Sequence, residues 1–158
     1  MLPRDLPLDG RSLRIGPAKL GEILPLRQRI LRIGLDIEEA KFPGDEDTTT
    51  LHAAVFDHAS VISCATLMLD EWEGQLAWRL RGMATDSIWQ SQGVGAALLQ
   101  YLIDSAITDP PIPQRISTFW CNARVPALAF YQRLGWTVDS EEFDIPTAGP
   151  HRRMFRKL

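Results

Sequence analysis

Apolar positions recur along this chain with two different periods, and the changes of period mark out its elements. Three strand-like runs follow one another in the middle: Leu51 to Phe56, Val61 to Leu69 and Gln75 to Thr85. The polar stretches Asp57-His58-Ala59-Ser60 and Asp70-Glu71-Trp72-Glu73-Gly74 separate them, and runs joined so closely predict an antiparallel meander. From Gly93 to Ile107 the period becomes helical, with Val94, Leu98, Tyr101, Leu102 and Ser105 on one face. Asp109-Pro110-Pro111 and Pro113 stop that helix, because proline cannot continue it. Arg115 to Cys121 reads as another strand. Ala127, Phe130, Tyr131 and Leu134 then repeat at helical spacing, predicting a helix from about Arg124 to Arg133 with Gly135 as its C′ residue.

The ends of the chain are less regular. Residues 1–10 hold two prolines and a glycine and predict a loosely held lead-in, followed by a short strand from Ser12 to Ile15. Lys19 to Ile33 carries Leu20, Ile23, Leu24, Ile30 and Leu31 at helical spacing. Pro25 in its middle leaves one kinked helix and two short ones equally open. Ala40 to Thr50 is acidic and turn-rich and predicts a surface loop, while Trp136 to Glu142 and His151 to Lys157 predict closing strands. The resulting order, β-α-βββ-α-β-α-ββ, predicts an α/β fold (α+β by segregation): one domain over 11–158, with a mixed, mostly antiparallel sheet flanked by helices.

Composition narrows the function. At 158 residues, with 45% hydrophobic and 23% charged, the chain has the make-up of a soluble globular domain with a real core. A net charge of −3 argues against a nucleic-acid partner, whose footprint would be a basic stripe. The five tryptophans, Trp72, Trp78, Trp89, Trp120 and Trp136, do not interleave with basic residues and read as core or cleft-edge residues. Cys64 and Cys121 lack metal-ligand spacing, so no metal is expected, and they read as reduced thiols. The first residues show no secretory pattern, and no segment approaches the roughly 20 apolar residues that span a membrane. These features predict a cytoplasmic protein with no membrane partner.

The candidate chemistry sits at Gln90-Ser91-Gln92-Gly93-Val94-Gly95-Ala96-Ala97-Leu98-Leu99, where strand gives way to helix. A helix start offers unpaired N–H groups and the positive end of the dipole, and glycines let a phosphate approach the main chain. A nucleotide triphosphate loop needs Gly-Lys-Ser/Thr, which this chain does not contain, and a dinucleotide fingerprint needs a small residue where Leu98 stands.

Gln90-x-x-Gly93-x-Gly95 resembles the acyl-CoA pyrophosphate loop of the GNAT superfamily of N-acetyltransferases, of the small bacterial stand-alone type. Three further stretches match in the right order. Leu80-Arg81-Gly82-Met83-Ala84-Thr85 is similar to the family's fourth strand, and Phe119-Trp120-Cys121-Asn122 to the end of its fifth. Ala127-Leu128-Ala129-Phe130-Tyr131-Gln132-Arg133-Leu134-Gly135-Trp136 is similar to its Ala-x-x-Phe-Tyr-x-x-x-Gly-Phe helix. The resemblance spans residues 11–158 by element order and is motif-specific over 80–136. Leu26 to Arg32, Thr50-Leu51-His52 and Gly149 to Met154 resemble one branch of small bacterial acetyltransferases and name no substrate.

The resemblance implies acetyl-CoA as acyl donor and direct transfer to a primary amine of a small molecule or peptide. Dimers are common in the family, which leaves a homodimer open, and the sequence itself does not give the oligomeric state. It places the pyrophosphate on the amides of Ser91, Gln92, Gly93, Val94, Gly95 and Ala96, with Gln90 opening the loop. Main-chain groups of Met83, Ala84 and Thr85 polarise the thioester carbonyl and pair with the pantetheine arm. Tyr131 is implied as both cofactor contact and general acid: a phenol of pKa about 10 suits a thiolate of about 8.5. Periodicity alone reads Tyr131 as a core residue. Asn122 is implied as a cofactor contact and is open to a second reading, as N-cap of the following helix. His52 and His151 are the candidate bases, either able to take a proton near neutral pH. Glu38, Glu39 and the Asp45 to Asp47 run lie where an acceptor-facing loop falls, although such a run usually makes a solvated face. The net charge mildly favours a cationic acceptor. The competing readings are a catalytically silent acyl-CoA-binding module and a nucleotide-binding protein.

Overall fold

In the computed structural model, which describes residues 1–158, the chain runs β1 (Arg4–Leu8), β2 (Arg11–Pro17), α1 (Leu20–Leu31), β3 (Leu51–Asp57), β4 (Ser60–Trp72) and β5 (Gln75–Thr85). It continues through α2 (Val94–Thr108), β6 (Thr118–Arg124), α3 (Leu128–Arg133), β7 (Thr137–Val138), β8 (Phe143–Ile145) and β9 (Gly149–Lys157). The strands form one sheet in the order β1-β2-β3-β4-β5-β6-β9-β7, with β8 also on β9. Every pairing is antiparallel except β5 with β6, which α2 joins as a crossover.

Strand alternation sends side chains to both faces, and a helix covers each. Ala53, Val55, Ala65 and Leu67 enter the larger core with Val94, Leu98 and Leu102 of α2. Ala54, Phe56, Cys64 and Ala84 pack on the other face beneath Ile23 and Leu26 of α1. Two-sided burial explains why β3 reads as an unbroken apolar run. Each fully buried leucine of α2 contributes about 1.5–3 kcal/mol.

Three expectations change and one open choice is settled. Residues 1–10 are not a loose lead-in: β1 pairs with β2 from Arg4↔Ile15 to Leu8↔Arg11 across Asp9-Gly10, both at positive φ (45° and 75°). An Asp-Gly pair between alternating residues is a strong hairpin signal, and the Tyr101 hydroxyl donates to the Leu2 carbonyl at 3.0 Å. The helix over Pro25 is one helix, because Ile23, Leu24, Leu26 and Arg27 on both sides of the proline are seated in the core. Trp136 to Glu142 yields only the two residues of β7, and β8 is an added strand. The element order is therefore ββ-α-βββ-α-β-α-βββ. Finally, β6 starts at Thr118 and runs on to Arg124, three residues later at each end than its apolar pattern suggests. No helix is long and apolar enough to cross a membrane.

Candidate active site

The parallel pairing of β5 with β6 covers only Trp78↔Phe119 and Arg79↔Trp120, after which the strands part. Leu80 to Met83 and Cys121 to Arg124 line the cleft that opens between them. It is also lined by Arg79 where the strands part, by Leu31, Arg32 and Phe42 at and after the end of α1, by Ala127 and Tyr131, and by Ile145, Ala148 and His151 of β8, β9 and the turn between them. A bulge helps to turn β5 away. Cys64 opposes Ala84 and Thr66 opposes Arg81, so Gly82 and Met83 together face the single residue Ala65. Gly82 has φ +59°, and a Cβ there would lie 2.5 Å from Arg27 Nε and 3.0 Å from Phe42 Cε2. Conformation and space both demand glycine at this point.

Arg27 explains that crowding. It falls on the apolar stripe of α1 with Ile23, Leu24 and Ile30, and it is wholly buried. Asp45 receives Nη1 at 2.7 Å and Nη2 at 3.0 Å, and Nη2 also donates to Thr66 Oγ1 at 2.6 Å. Asp45 Oδ2 accepts the Phe42 amide at 2.7 Å as well. The acidic loop is therefore not a solvated charge run throughout, since Asp45 is an internal counter-ion.

His52 belongs to the same network. Its Nε2 is 2.8 Å from the Asp45 carbonyl, which can only accept, so Nε2 carries the proton. Its Nδ1 then accepts from Thr66 Oγ1 at 2.7 Å, the hydroxyl whose oxygen receives Arg27. Burial first, and the nearby Arg27 charge after it, hold the imidazole below its ordinary pKa. Both ring nitrogens are committed, and the ring does not line the cleft.

His151 is arranged differently. Nδ1 lies 2.7 Å from the Gly149 carbonyl and must donate to it, which leaves Nε2 as an unprotonated acceptor. The ring lines the cleft and stacks on Phe143 with centroids 6.2 Å apart. Burial, with Arg124 and Arg32 adding to it against the Gly149 bond and the Asp144 charge, lowers its pKa. The structure separates two histidines that sequence left equal.

Tyr131 is fixed by the end of its own helix. Gly135 at φ +83° allows Trp136 N–H to bond the Tyr131 carbonyl at 3.1 Å and Gly135 N–H the Gln132 carbonyl at 3.1 Å, a Schellman motif. The Tyr131 and Trp136 rings pack at 5.5 Å as the accompanying apolar contact. Tyr131 is both a core residue and a cleft residue: only 7% exposed, with its hydroxyl 3.7 Å from Met83 Sδ. Burial raises the phenol well above its usual pKa. Cys121 lines the same cleft, and burial keeps its thiol protonated. Asn122 also faces the cleft from within β6, opposite Arg153, and is not an N-cap. Arg124 and Ala127 stand at the starts of the following helical turns.

The glycine loop lies at the far end of β5. Gly93 is the N-cap of α2 in the left-handed region (φ +81°), and Ser91 is left-handed too (φ +61°). The first bond into the helix runs from Ala97 N–H to the Gly93 carbonyl at 3.0 Å, so the amides of Val94, Gly95 and Ala96 have no intrahelical acceptor. Gln90 Nε2 ties the loop to the Thr85 carbonyl at 3.0 Å, and Gln92 Nε2 to the Ile88 carbonyl at 2.8 Å. Both glutamines brace the loop through their side chains. Gly95 seats α2 on β5, since a Cβ there would approach Met83 Cε and Thr85 Oγ1 to 3.3 Å. The Ala84 side chain packs under α1, and its carbonyl accepts from Ser63 Oγ of β4 at 3.2 Å.

Sequence reasoning missed Arg27 and Thr66 and the role of Asp45 as the buried counter-ion of Arg27, and it assigned no part to the cleft residues Arg32, Phe42, Arg81 and Arg124. One signal was present: an arginine on the apolar stripe of a helix needs a buried partner.

Comparison with known proteins shows the family and the fold. The family model described as "Acetyltransferase (GNAT) domain" matches residues 48–138. The uncharacterised N-acetyltransferase YitI of Bacillus subtilis strain 168 is 31% identical over 156 residues, covering 92% of this chain and 97% of that protein. Escherichia coli ElaA superposes with a TM-score of 0.71 at 15% identity, covering 99% of this chain and 100% of that one. A chain of the NatC complex bound to Gag peptide and CoA superposes with a TM-score of 0.69 at 14% identity, covering 92% of this chain and 98% of that one. At such identities the two superpositions speak to the fold.

Proposed function

The chain belongs to the GNAT family of acetyltransferases, acyl-transferring enzymes, and from that premise we propose that it moves the acetyl group of acetyl-CoA directly to a primary amine of a small molecule or peptide. The observation that carries this reading is the meeting of Tyr131 and Met83 where β5 leaves β6, with the free amides of the α2 start at the end of the same strand.

The residues present fit the donor. Unpaired amides from Ser91 to Ala96 suit a pyrophosphate, and Gly95 keeps the helix start close to β5. Beyond Arg79 the edge of β5 lacks a strand partner on the β6 side, so the main chain around Met83 can pair with an extended pantetheine arm, while Gln90 holds the Thr85 carbonyl and Ser63 Oγ donates to the Ala84 carbonyl. The donor supplies an activated acetyl carbonyl, and main-chain N–H groups at this edge polarise its oxygen. His151 Nε2 accepts the proton that the amine loses as nitrogen bonds to the acetyl carbon. Tyr131 gives its proton to the sulfur as the C–S bond breaks. A phenol held protonated by burial, whose bond within the protein goes to a thioether sulfur, suits that role. Cys121 remains a neutral thiol, which favours direct transfer over an acyl-cysteine. His52 takes no part in the reaction.

Release of free thiol from acetyl-CoA against a panel of amines, amino acids, polyamines and peptides tests the reading. Turnover of at least one acceptor is expected. Binding of acetyl-CoA with no turnover of any would favour the silent module.

A further inference from the structure

The wall of the cleft has a charge opposite to that of the whole protein. Among its lining residues are four arginines and no aspartate or glutamate, in a chain whose net charge is −3. Arg79 is neutralised by Asp70 at 3.0 Å. Arg32, Arg81 and Arg124 have no carboxylate within ion-pair distance. Arg32 Nη1 and Arg124 Nη2 both donate to the Leu31 carbonyl, at 3.2 and 2.8 Å, which draws the two guanidiniums together at the end of α1. Arg81 lies over the Phe42 ring at 4.2 Å, with Arg32 at 5.6 Å from the same centroid. Asp45, the nearest internal carboxylate of the loop, is consumed by Arg27.

Three half-buried guanidiniums that repel one another cost stability unless an anion meets them. Burial and the neighbouring Arg79, Arg27 and Arg32 lower the Arg81 pKa to about 10, opposed by Asp45, so it remains charged at neutral pH. The donor's phosphates are already matched at the other end of the strand. Their loop packs on Met83 and Thr85, and Arg81 stands on the opposite side of Met83 along β5. We propose that Arg32, Arg81 and Arg124 bind an anionic group, a carboxylate or a phosphate, on the acceptor, so that the substrates are amines of the amino-acid or phosphoamine class rather than polyamines. This inference rests on the transfer reading and reverses the mild preference for a cationic acceptor that net charge suggests.

Thiol release from acetyl-CoA by the intact chain is compared for each amino acid and the amine left by its decarboxylation, and for O-phosphoethanolamine and ethanolamine. At least one anionic member is expected to exceed its neutral partner by about 10- to 10²-fold in kcat/KM, the scale of a charge-assisted bidentate contact. The pair that responds identifies the anion. Arg81→Met is expected to remove most of that preference, lowering kcat/KM more for the member that carries the anion than for its partner without it. The Arg81 guanidinium makes no hydrogen bond within the protein and packs on the Phe42 ring, so this variant breaks no hydrogen bond. Equal or better use of the amines lacking the anion, or a preference untouched by Arg81→Met, overturns the proposal. Succinyl-CoA run beside acetyl-CoA locates the anion: preference for succinyl-CoA with a neutral amine overturns its assignment to the acceptor. If nothing is turned over, thermal shifts with N-acetyl-amino acids and their carboxamides, and with N-acetyl-O-phosphoethanolamine and N-acetylethanolamine, decide. Stabilisation by an anionic member alone, lost in Arg81→Met, upholds the anion site and removes the transfer reading. Equal shifts within every pair, or none, overturn the anion site.

Discussion

Tyr131 directs its hydroxyl at the sulfur of Met83, 3.7 Å away, where β5 and β6 have just separated. A thioether is a weak acceptor, so the phenolic proton is held without being strongly engaged. Tyr131→Phe removes the proton and little packing. Turnover is expected to fall by about 10²-fold or more, with KM for acetyl-CoA within roughly threefold, as read by steady-state kinetics. Unchanged turnover would return Tyr131 to a purely structural role.

His151 is the candidate base because its Nδ1–H is spent on the Gly149 carbonyl and its Nε2 is not. Its lowered pKa keeps it neutral, and so able to accept a proton, at pH 7 and somewhat below. The ratio of wild-type to His151→Gln rates cancels the titration of the amine substrate. That ratio is expected to be large and flat near neutral pH and to fall toward one as pH drops below about 6.5. A ratio independent of pH would assign the base elsewhere.

His52 acts on stability. Its folded pKa is below the unfolded value of about 6.5, so the unfolded chain binds the extra proton first. The contribution is fully present above about pH 6.5 and is lost as pH falls from there through the folded pKa. His151 adds a slope of the same sign. His52→Gln can donate to the Asp45 carbonyl and accept from Thr66 without titrating. Urea unfolding at pH 7.5, 6.5 and 5.5 is expected to show a shallower loss in that variant, and equal slopes would dissociate His52 from the effect.

Arg27 and Asp45 are both withdrawn from water, so removing one partner leaves a buried charge uncompensated. Arg27→Met and Asp45→Asn are each expected to cost about 3–5 kcal/mol in chemical denaturation. Arg27→Met together with Asp45→Leu is expected to recover part of the loss. A cost under about 1 kcal/mol for both single variants would show that the network is not structural.

Gly93→Val meets open space but must adopt φ +81°, a strain of about 1–2 kcal/mol, and it places a branched side chain at the helix start. Gly95→Val sets a Cβ 3.3 Å from Met83 Cε and Thr85 Oγ1, so the branched side chain pushes both aside and lifts the helix start from β5. Both are expected to lose at least tenfold in acetyl-CoA affinity by calorimetry while circular dichroism reports a folded protein. Unchanged affinity in Gly93→Val would remove the phosphate argument from the loop.

The features legible in sequence are those set by near neighbours. The meander follows from alternation interrupted by turns, α2 from its 3.6-residue period, and the Schellman end of α3 from Gly135 four residues after Tyr131. The Asp9-Gly10 hairpin is legible in the same way, although Pro3 and Pro7 beside it point to a loose end. Strand β8 is not legible, since its three residues pair with β9 across a turn and carry no period of their own.

Sequence alone determined that a helix start with two glycines follows a meander, and that Phe130-Tyr131 with Gly135 accompanies it, because those patterns depend on spacings of a few residues. Which histidine is free to accept a proton depended on Asp45 and Thr66 reaching His52, and on Gly149 taking the His151 Nδ1 proton. The sign of charge in the cleft depended on Arg32, Arg81 and Arg124 meeting there, from one helix end and two strands. A sum over composition averages such charges. Only the fold places Arg27 against Asp45 inside and leaves the other three lining the cleft.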